Sequence, residues 1–199
     1  EQLHRLLDDG IIEDVVGRLK TGKEAEVWTV LYEGRVVAAK IYKDRAHRSF
    51  KNNADYLEGR KIKNSRTRRA IEKGSRFGQR AAEDAWKEAE ANALYMLHDA
   101  GVRVPAPLLY YEGVLLMELV QGPEGGPAPR LIECRFSAAE AAELYTDLRT
   151  QIVRMLCADV IHGDLSPYNI LLGEQGPVII DLPQTIDPAA NNRAASFFL

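Results

Sequence analysis

The chain has 199 residues, of which 46% are hydrophobic and 28% are charged, a composition typical of a folded globular domain. Disordered, collagen-like and disulfide-rich classes are excluded, and the longest nearly apolar stretch, 105–120, is interrupted by acids, so no membrane association is expected. The net charge of −3 is uneven, because residues 43–80 carry +9 and the rest carries −12, which suggests an anionic partner for that segment.

The N-terminal part is predicted to form a sheet and a helix. Residues 1–16 suggest a short helix, a break at Gly10 and a first strand. Alternating apolar residues predict strands over 27–31 and 35–41, joined by a turn at residues 32–34. The basic segment 43–80 is predicted to be loop with some helix, and the Ala- and Glu-rich 81–100 to be a helix that ends at Gly101. A second hairpin is expected over 108–111 and 114–120.

The C-terminal part begins with a Gly- and Pro-rich linker at 121–130. A capping box of Ser137 and Glu140 predicts the start of a helix, and strands are expected at 170–172 and 178–180. The helix carries a stripe of residues that is predicted to be core: Ala141, Leu144, Tyr145, Leu148, Ile152, Met155 and Leu156. The predicted domains are an N-lobe (1–120), a hinge or linker (121–130) and a C-lobe (131–199).

The strongest motif is the segment 162–169, of sequence HGDLSPYN. It fits the phosphotransferase pattern H-x-D-L-x-x-x-x-N, in which an Asp orients the attacking oxygen and accepts its proton. The Asn five positions later supplies an oxygen to a metal that bridges the phosphates. The matched positions before an apolar strand favour this interpretation over a surface turn. Asp164 is therefore predicted to be the catalytic base, and Asn169 a catalytic residue and metal ligand.

Asp181 directly follows the apolar run 178–180. A carboxylate at the end of a buried strand is costly unless it meets a metal or hydrogen-bond donors. Carboxylate and amide oxygens are hard ligands, so Asp181 is predicted to share Mg²⁺ with Asn169. The alternative interpretation is that Asp181 is an ordinary turn residue that binds no metal.

Lys40 is predicted to bind the α and β phosphates of a nucleotide. It is a lysine among apolar neighbours on a strand that follows a glycine-containing turn, and a surface lysine on an edge strand is the alternative. An acidic partner is expected on the helix 81–100. Glu90 is preferred for its place on the apolar stripe, with Glu83 and Glu88 as alternatives.

Two segments carry weaker nucleotide-binding signals. Gly22 alone survives from the pattern G-x-G-x-x-G-x-V, with Val27 at the last position, and the backbone amides of 21–24 are predicted to cradle phosphate. Residues 117–120 follow an apolar strand, as expected of a hinge that hydrogen-bonds adenine. The alternative interpretation is that residues 117–120 are simply the end of a buried strand, for which the same sequence pattern is expected.

These motifs resemble the RIO family of atypical serine protein kinases over nearly all of residues 11–199, and the compact chain suggests a bacterial-like member. The segments that carry the resemblance are 20–25 (KTGKEA), 39–42 (AKIY), 104–107 (VPAP), 127–130 (PAPR), 162–169 (HGDLSPYN) and 180–184 (IDLPQ). The short KTGKEA loop and the Ser two positions after Asp164 separate RIO proteins from ordinary kinases.

The resemblance implies an α+β, two-lobed protein-kinase-like fold, with an antiparallel N-lobe sheet plus one helix and a reduced, mainly helical C-lobe. It implies Mg-ATP as cofactor, with Mn²⁺ as a substitute, and serine phosphorylation or an ATPase switch in which the Asp181 equivalent becomes phosphorylated. The implied nucleotide contacts are Thr21, Gly22, Lys23, Glu24, Val27, Ala38, Lys40, Met117, Glu118, Val120 and Leu171.

Departures from ordinary protein kinases put peptide specificity in question, but not ATP binding. Gly163 replaces the Arg before the catalytic Asp, and Ser166 replaces the lysine that meets the γ-phosphate. Eighteen residues follow Asp181, too few for a peptide platform, and the missing initial Met and apolar last residues predict a chain trimmed at both ends.

Two alternative functions are a small-molecule kinase of the aminoglycoside or choline type and a non-catalytic nucleotide-sensing scaffold of a ribonucleoprotein. The expected partners are ATP, an unidentified protein substrate and an RNA or ribosome-related partner at 43–80. The two cysteines, Cys134 and Cys157, and the lack of a signal peptide predict a cytoplasmic protein.

Overall fold

The computed structural model describes residues 1–22, 25–43 and 76–182, with side chains described from residue 84 in the last range except at 85 and 86. Most of the basic segment 43–80 thus lies outside the described residues. The chain divides into an N-terminal unit (Glu1–Ala91 and Pro107–Leu119) and a C-terminal unit (Asn92–Ala106 and Val120–Leu199). The predicted N-lobe ends beside this division, whereas residues 92–106 group with the C-terminal unit.

The N-terminal unit contains an antiparallel five-stranded sheet of order β1-β2-β3-β5-β4. The strands are β1 (Asp14–Thr21), β2 (Ala25–Tyr32), β3 (Arg35–Tyr42), β4 (Pro107–Tyr111) and β5 (Val114–Met117). The strand predicted over 114–120 stops at Met117, which pairs with Pro107 on β4 and with Ala38 on β3. Since β3 is central, Lys40 is not on an edge strand.

Both predicted hairpins are present, and each turns at a Glu-Gly pair. The φ angles are +48° at Glu33 and +70° at Gly34, and +49° at Glu112 and +79° at Gly113. Positive φ at both central residues matches the right-handed twist of the flanking strands. The first turn therefore sets the register that brings Lys40 opposite Val27 on β2, and the second sets the pairing of Tyr110 with Leu115. Pairing between β3 and β5 places Leu115 on the other side of Lys40.

Helix α1 (Gln2–Asp8) covers one face of this sheet. Its Leu6 is fully buried in a cluster that includes Val30 of β2 and Ala39 of β3. Because strand residues alternate between faces, Lys40 points to the opposite face from Ala39. The expectation of one helix beside the sheet is thus incomplete, since α1 packs there as well.

Helix α2 (Arg76–Asp99) begins five residues before the predicted start and ends before Gly101, whose φ of +72° suits a glycine terminator. Leu94 and Leu97 are buried along it. In the described part of the chain, no helix combines the length and the apolar composition that crossing a membrane requires.

The C-terminal unit contains helix α3 (Ala138–Cys157), a 3₁₀ turn (Leu131–Glu133) and a hairpin of β6 (Ile170–Gly173) and β7 (Gly176–Ile179). The predicted capping box at the start of α3 is confirmed, since Ser137 and Glu140 bond each other's backbone amides. The predicted linker is fastened to this unit, where the Leu172 amide donates to the Pro129 carbonyl at 2.8 Å.

The predicted core stripe of α3 is wrong in part. Met155 is buried and Leu144, Leu148 and Ile152 are half-buried, but Ala141 is exposed, and Tyr145 and Leu156 are 67% and 37% exposed. The polar residue Gln151, four positions before Met155, is buried as well. Arg103 donates hydrogen bonds to Asp147 and Gln151, so the packed face of the helix includes polar residues beside the apolar ones.

Candidate functional site

A buried ion pair joins the centre of the sheet to α2. Lys40 Nζ donates to Glu90 Oε1 at 2.5 Å, and the two side chains are 10% and 4% exposed. Of the three candidate acids, Glu88 is exposed and the Glu83 side chain lies outside the described ones. Glu90 is therefore the partner of Lys40 in this structure.

The second oxygen of this carboxylate has no hydrogen-bond donor. Glu90 Oε2 is buried, and among the described residues nothing donates to it. A buried ion pair with an unsatisfied oxygen is a poor source of stability, because desolvation offsets the attraction between the charges. Such a costly arrangement favours a role in binding over a role in folding.

Tyr110 lies in the same row of the sheet as Lys40, since both pair with Leu115. Burial, followed by the charges of Asp84, Glu88 and Glu90, raises the pKa of Tyr110 to about 12. The Lys40 face of the sheet therefore lies against a negatively charged surface of α2.

The predicted phosphate loop lies between β1 and β2. Thr21 ends β1, and the Gly22 amide donates to the Ala25 carbonyl at 2.8 Å. A Cβ on Gly22 would lie 3.2 Å from that carbonyl oxygen, which explains the small residue. Lys43 Nζ bonds the Gly22 carbonyl at 2.8 Å and ties the loop to the end of β3. The predicted contacts Lys23 and Glu24 lie outside the described residues.

The remaining predicted nucleotide contacts are divided between the units. Ala38 is buried on β3 opposite Met117, and Val27 stands beside Lys40. Glu118 follows β5 in the N-terminal unit, whereas two others belong to the C-terminal unit. These two are the buried Val120 and, on β6, Leu171.

The predicted catalytic loop has a defined hydrogen-bond framework in the C-terminal unit. Asn169 Nδ2 donates to the Asp164 backbone carbonyl at 2.9 Å and lies 3.4 Å from Asp164 Oδ2. Asn169 is buried, whereas Asp164 is exposed. The Asn amide thus orients the Asp carboxylate, and its own oxygen Oδ1 remains for a ligand.

His162 connects this loop to the residues before Asp181. Its Nε2 lies 2.9 Å from the Ile180 carbonyl, and its Nδ1 lies 3.3 Å from the Asp164 amide nitrogen. A neutral ring protonated on Nε2 satisfies both bonds, because it then donates to the carbonyl and accepts from the amide. His162 is not among the residues predicted for the site. It is the first residue of the HGDLSPYN motif, and this position was the signal in the sequence that could have identified it.

Backbone pairing brings Asn169 close to Asp181. The Ile180 amide donates to the Asn169 carbonyl at 3.0 Å, directly beyond the pairing of Ile170 with Ile179. Asp181 has a φ of +67°, a left-handed conformation that is uncommon for residues other than glycine. The hydrogen bond of Ile180 therefore holds the backbone directly before Asp181 next to Asn169.

The oxygen atoms of Asn169 and Asp181 fit a magnesium ion. An amide and a carboxylate are hard ligands, and Mg²⁺ in phosphotransferases takes one or two protein ligands together with phosphate oxygens and water. Within the described ranges, no group of three or more His, Cys, Asp or Glu side chains is placed to hold a metal ion. Asn169 and Asp181 are therefore two residues that could hold such an ion.

The fold is that of protein-kinase-like proteins. A crystal structure of the Rio2 kinase-ADP/Mg²⁺-phosphoaspartate complex from Chaetomium thermophilum matches with a TM-score of 0.68 and 24% identity, over 98% of this chain and 55% of that one. The RIO domain model matches residues 26–199. The chain belongs to the RIO family.

Curated relatives agree with this assignment. The RIO-type serine/threonine-protein kinase Rio1 of Haloferax volcanii is 37% identical over 185 residues, which are 92% of this chain and 59% of that protein. Human serine/threonine-protein kinase RIO1 is 33% identical over 187 residues, or 93% of this chain and 31% of that protein. The chain thus spans less than two thirds of the length of either relative.

Proposed function

We propose that this chain is a RIO-type phosphotransferase that uses Mg-ATP to phosphorylate serine, on itself or on a protein substrate, or to run an ATPase switch. The buried Lys40–Glu90 pair is the observation that carries the proposal. Burying these two charges is unfavourable for folding, and the need to hold Lys40 in a fixed orientation toward the α and β phosphates explains why the pair is buried.

The proposed roles of the other residues follow from their chemistry. Thr21, Gly22, Lys23 and Glu24 cover the phosphates, and Asp164 orients the acceptor hydroxyl or accepts its proton. Asn169 and Asp181 would hold Mg²⁺, which neutralises charge on the transferred phosphoryl group; Mn²⁺ is an alternative ion. The remaining proposed nucleotide contacts are Val27, Ala38, Met117, Glu118, Val120 and Leu171. Positioning and charge neutralisation account for most of the catalysis in this class of reaction.

The phosphate acceptor distinguishes two versions of this function. In the kinase version, a serine hydroxyl receives the γ-phosphoryl group and ADP leaves. In the switch version, a carboxylate oxygen of Asp181 receives it and ADP leaves, and water later hydrolyses the acyl phosphate to the free carboxylate and inorganic phosphate. The phosphoaspartate named for the Chaetomium Rio2 complex makes this second version worth testing here.

Mass spectrometry after incubation with ATP and Mg²⁺ tests the proposal. Wild type and Asp164→Asn are compared with and without a cell extract. Phosphoserine that depends on Asp164 supports the kinase, and phosphoaspartate with phosphate release supports the switch. A phosphorylated small molecule favours the aminoglycoside- or choline-kinase alternative, and nucleotide binding without turnover favours the scaffold.

The basic segment 43–80 supports a second proposal, that this part of the chain binds RNA phosphates, as a ribosome-related partner would provide. The support is its charge of +9 in a chain whose net charge is −3. Few aromatic residues are interspersed, so contacts to the backbone are favoured over base stacking.

A further inference from the structure

Arg103 lies where three parts of the C-terminal unit meet. It follows α2, and its Nη1 donates to Asp147 Oδ2 of α3 at 2.7 Å. The same Nη1 lies 3.4 Å from the Pro177 carbonyl of β7. One guanidinium group thus contacts both the helix and the strand that leads to Asp181.

The backbone of Arg103 is held on both sides. Its amide donates to Gln151 Oε1 on α3 at 2.8 Å, and its carbonyl accepts from the Ile179 amide of β7 at 2.9 Å. Gln151 is 1% exposed and also donates to Asp147 Oδ1 at 3.3 Å, so the two partners of Arg103 on α3 are bonded to each other. Movement of Arg103 would therefore displace β7 at Ile179.

Gly176 shows how closely this contact is packed. A Cβ at this residue would lie 2.7 Å from both Arg103 Nη1 and Asp147 Oδ2. The φ of +111° also disfavours any residue with a side chain. The lack of a side chain at Gly176, the first residue of β7, thus leaves room for the Arg103–Asp147 ion pair.

The strand carries this restraint toward Asp181. Ile179 is bonded to Arg103, and the next residue, Ile180, is bonded through its amide to Asn169 and through its carbonyl to His162. Asp181 follows directly, with a φ of +67°. Three separate bonds thus fix the two residues before the proposed metal ligand.

We propose that Arg103 is a positioning residue, which fixes β7 against α3 and thereby places the Asp181 carboxylate for Mg²⁺ binding. The proposal rests on the proposed function, in which Asp181 binds the metal. The Arg103–Asp147 ion pair contributes modestly to stability, because its side chains are 30% and 33% exposed. Its proposed role is therefore to orient β7 against α3.

The first test uses amide hydrogen exchange on nucleotide-free protein. Arg103→Gln is expected to speed exchange at the Ile179 and Ile180 amides roughly tenfold. Arg154→Gln is the matched control, because Arg154 also joins α3 to the loop after α2, through the Gly101 carbonyl at 2.9 Å, without touching β7. Equal exchange at these amides in the two variants would overturn the proposal.

The second test is a Mg²⁺ titration of ADP binding. Arg103→Gln is expected to raise the Mg²⁺ midpoint roughly fivefold, whereas Arg154→Gln stays within about twofold of wild type. A lower melting temperature with an unchanged midpoint would mean a merely structural role and overturn the proposal. Asp147→Asn removes the same ion pair from the α3 side and decides the question if Arg103→Gln does not fold.

The two tests separate this proposal from the function on which it rests. If wild type shows no Mg²⁺-dependent binding of ADP or ATP, the proposed function fails. The exchange comparison still decides whether Arg103 fixes the strand before Asp181.

Discussion

Lys40 and Glu90 form a buried ion pair at 2.5 Å, although fifty residues separate them in the chain. Lys40 comes from the central strand of the sheet and Glu90 from the middle of α2. Because each charge is costly to bury alone, either residue without the other leaves an uncompensated charge. The pair therefore fixes the position of α2 against the sheet in the N-terminal unit.

Lys40→Ala is expected to weaken ATP binding by about 1.5–3 kcal/mol, the range for removing a charge-assisted hydrogen bond from a closed site. Lys23→Ala is expected to cost less, because Lys40 is held on the central strand by the Glu90 carboxylate and is the residue assigned to the α and β phosphates. ATP titrations of both variants measure the difference, and equal effects would contradict the ranking. Glu90→Gln, which removes the partner charge, is expected to resemble Lys40→Ala.

Asp164→Asn is expected to abolish phosphoryl transfer with nearly unchanged nucleotide binding, since Asp164 is assigned to the acceptor. Asp181→Asn is expected to weaken Mg-ATP binding as well, because the ion loses a charged ligand. Binding and single-turnover measurements on both variants distinguish these roles. Near wild-type turnover of Asp164→Asn would show that Asp164 is not the catalytic base.

Tyr110 is expected to titrate near 12, and Tyr110→Phe identifies its signal in an ultraviolet difference titration. The folded protein holds this proton more tightly than the unfolded chain does. Its contribution to stability is therefore complete below the unfolded pKa of 10 and decreases as the pH rises toward about 12. Glu88→Gln is expected to lower the pKa of Tyr110, and no change would argue against the placement of α2.

Leu6→Ala is expected to destabilise the N-terminal unit by about 2–5 kcal/mol, because Leu6 is fully buried between α1 and the sheet. Chemical denaturation measures this change in stability, and the exposed His4→Ala on the same helix is the control. Equal stability of the two variants would mean that α1 does not cover the sheet.

Changing Arg66, Arg68 and Arg69 together to Ala is expected to reduce RNA affinity and its dependence on salt. Each phosphate contact contributes roughly 0.7–0.9 log units of affinity per tenfold change in salt. Binding is measured from low to moderate salt on the variant and on wild type. Affinity that is absent, or equal in both proteins and insensitive to salt, would contradict an RNA-binding role.

Local features were predictable from the sequence. The two Glu-Gly turns, the capping box at Ser137 and the HGDLSPYN loop depend on residues a few positions apart, so their chemistry is contained in short segments. The hydrogen bond from Asn169 to the Asp164 carbonyl was not predicted, although both residues belong to the same short motif. The resemblance to the RIO family rested on the same short motifs and is confirmed by the domain match.

Features that depend on distant residues required the tertiary structure. Three acids on α2 were candidates for Lys40, and only the packing of the helix on the sheet selects Glu90. The extent of the buried face of α3 was not predictable, because Gln151 is buried beside the apolar residues, where it accepts a hydrogen bond from the amide of Arg103. The sequence alone selected the residues that are proposed to carry the chemistry, whereas long-range packing decided which of them meet, because such contacts depend on strand register and helix rotation.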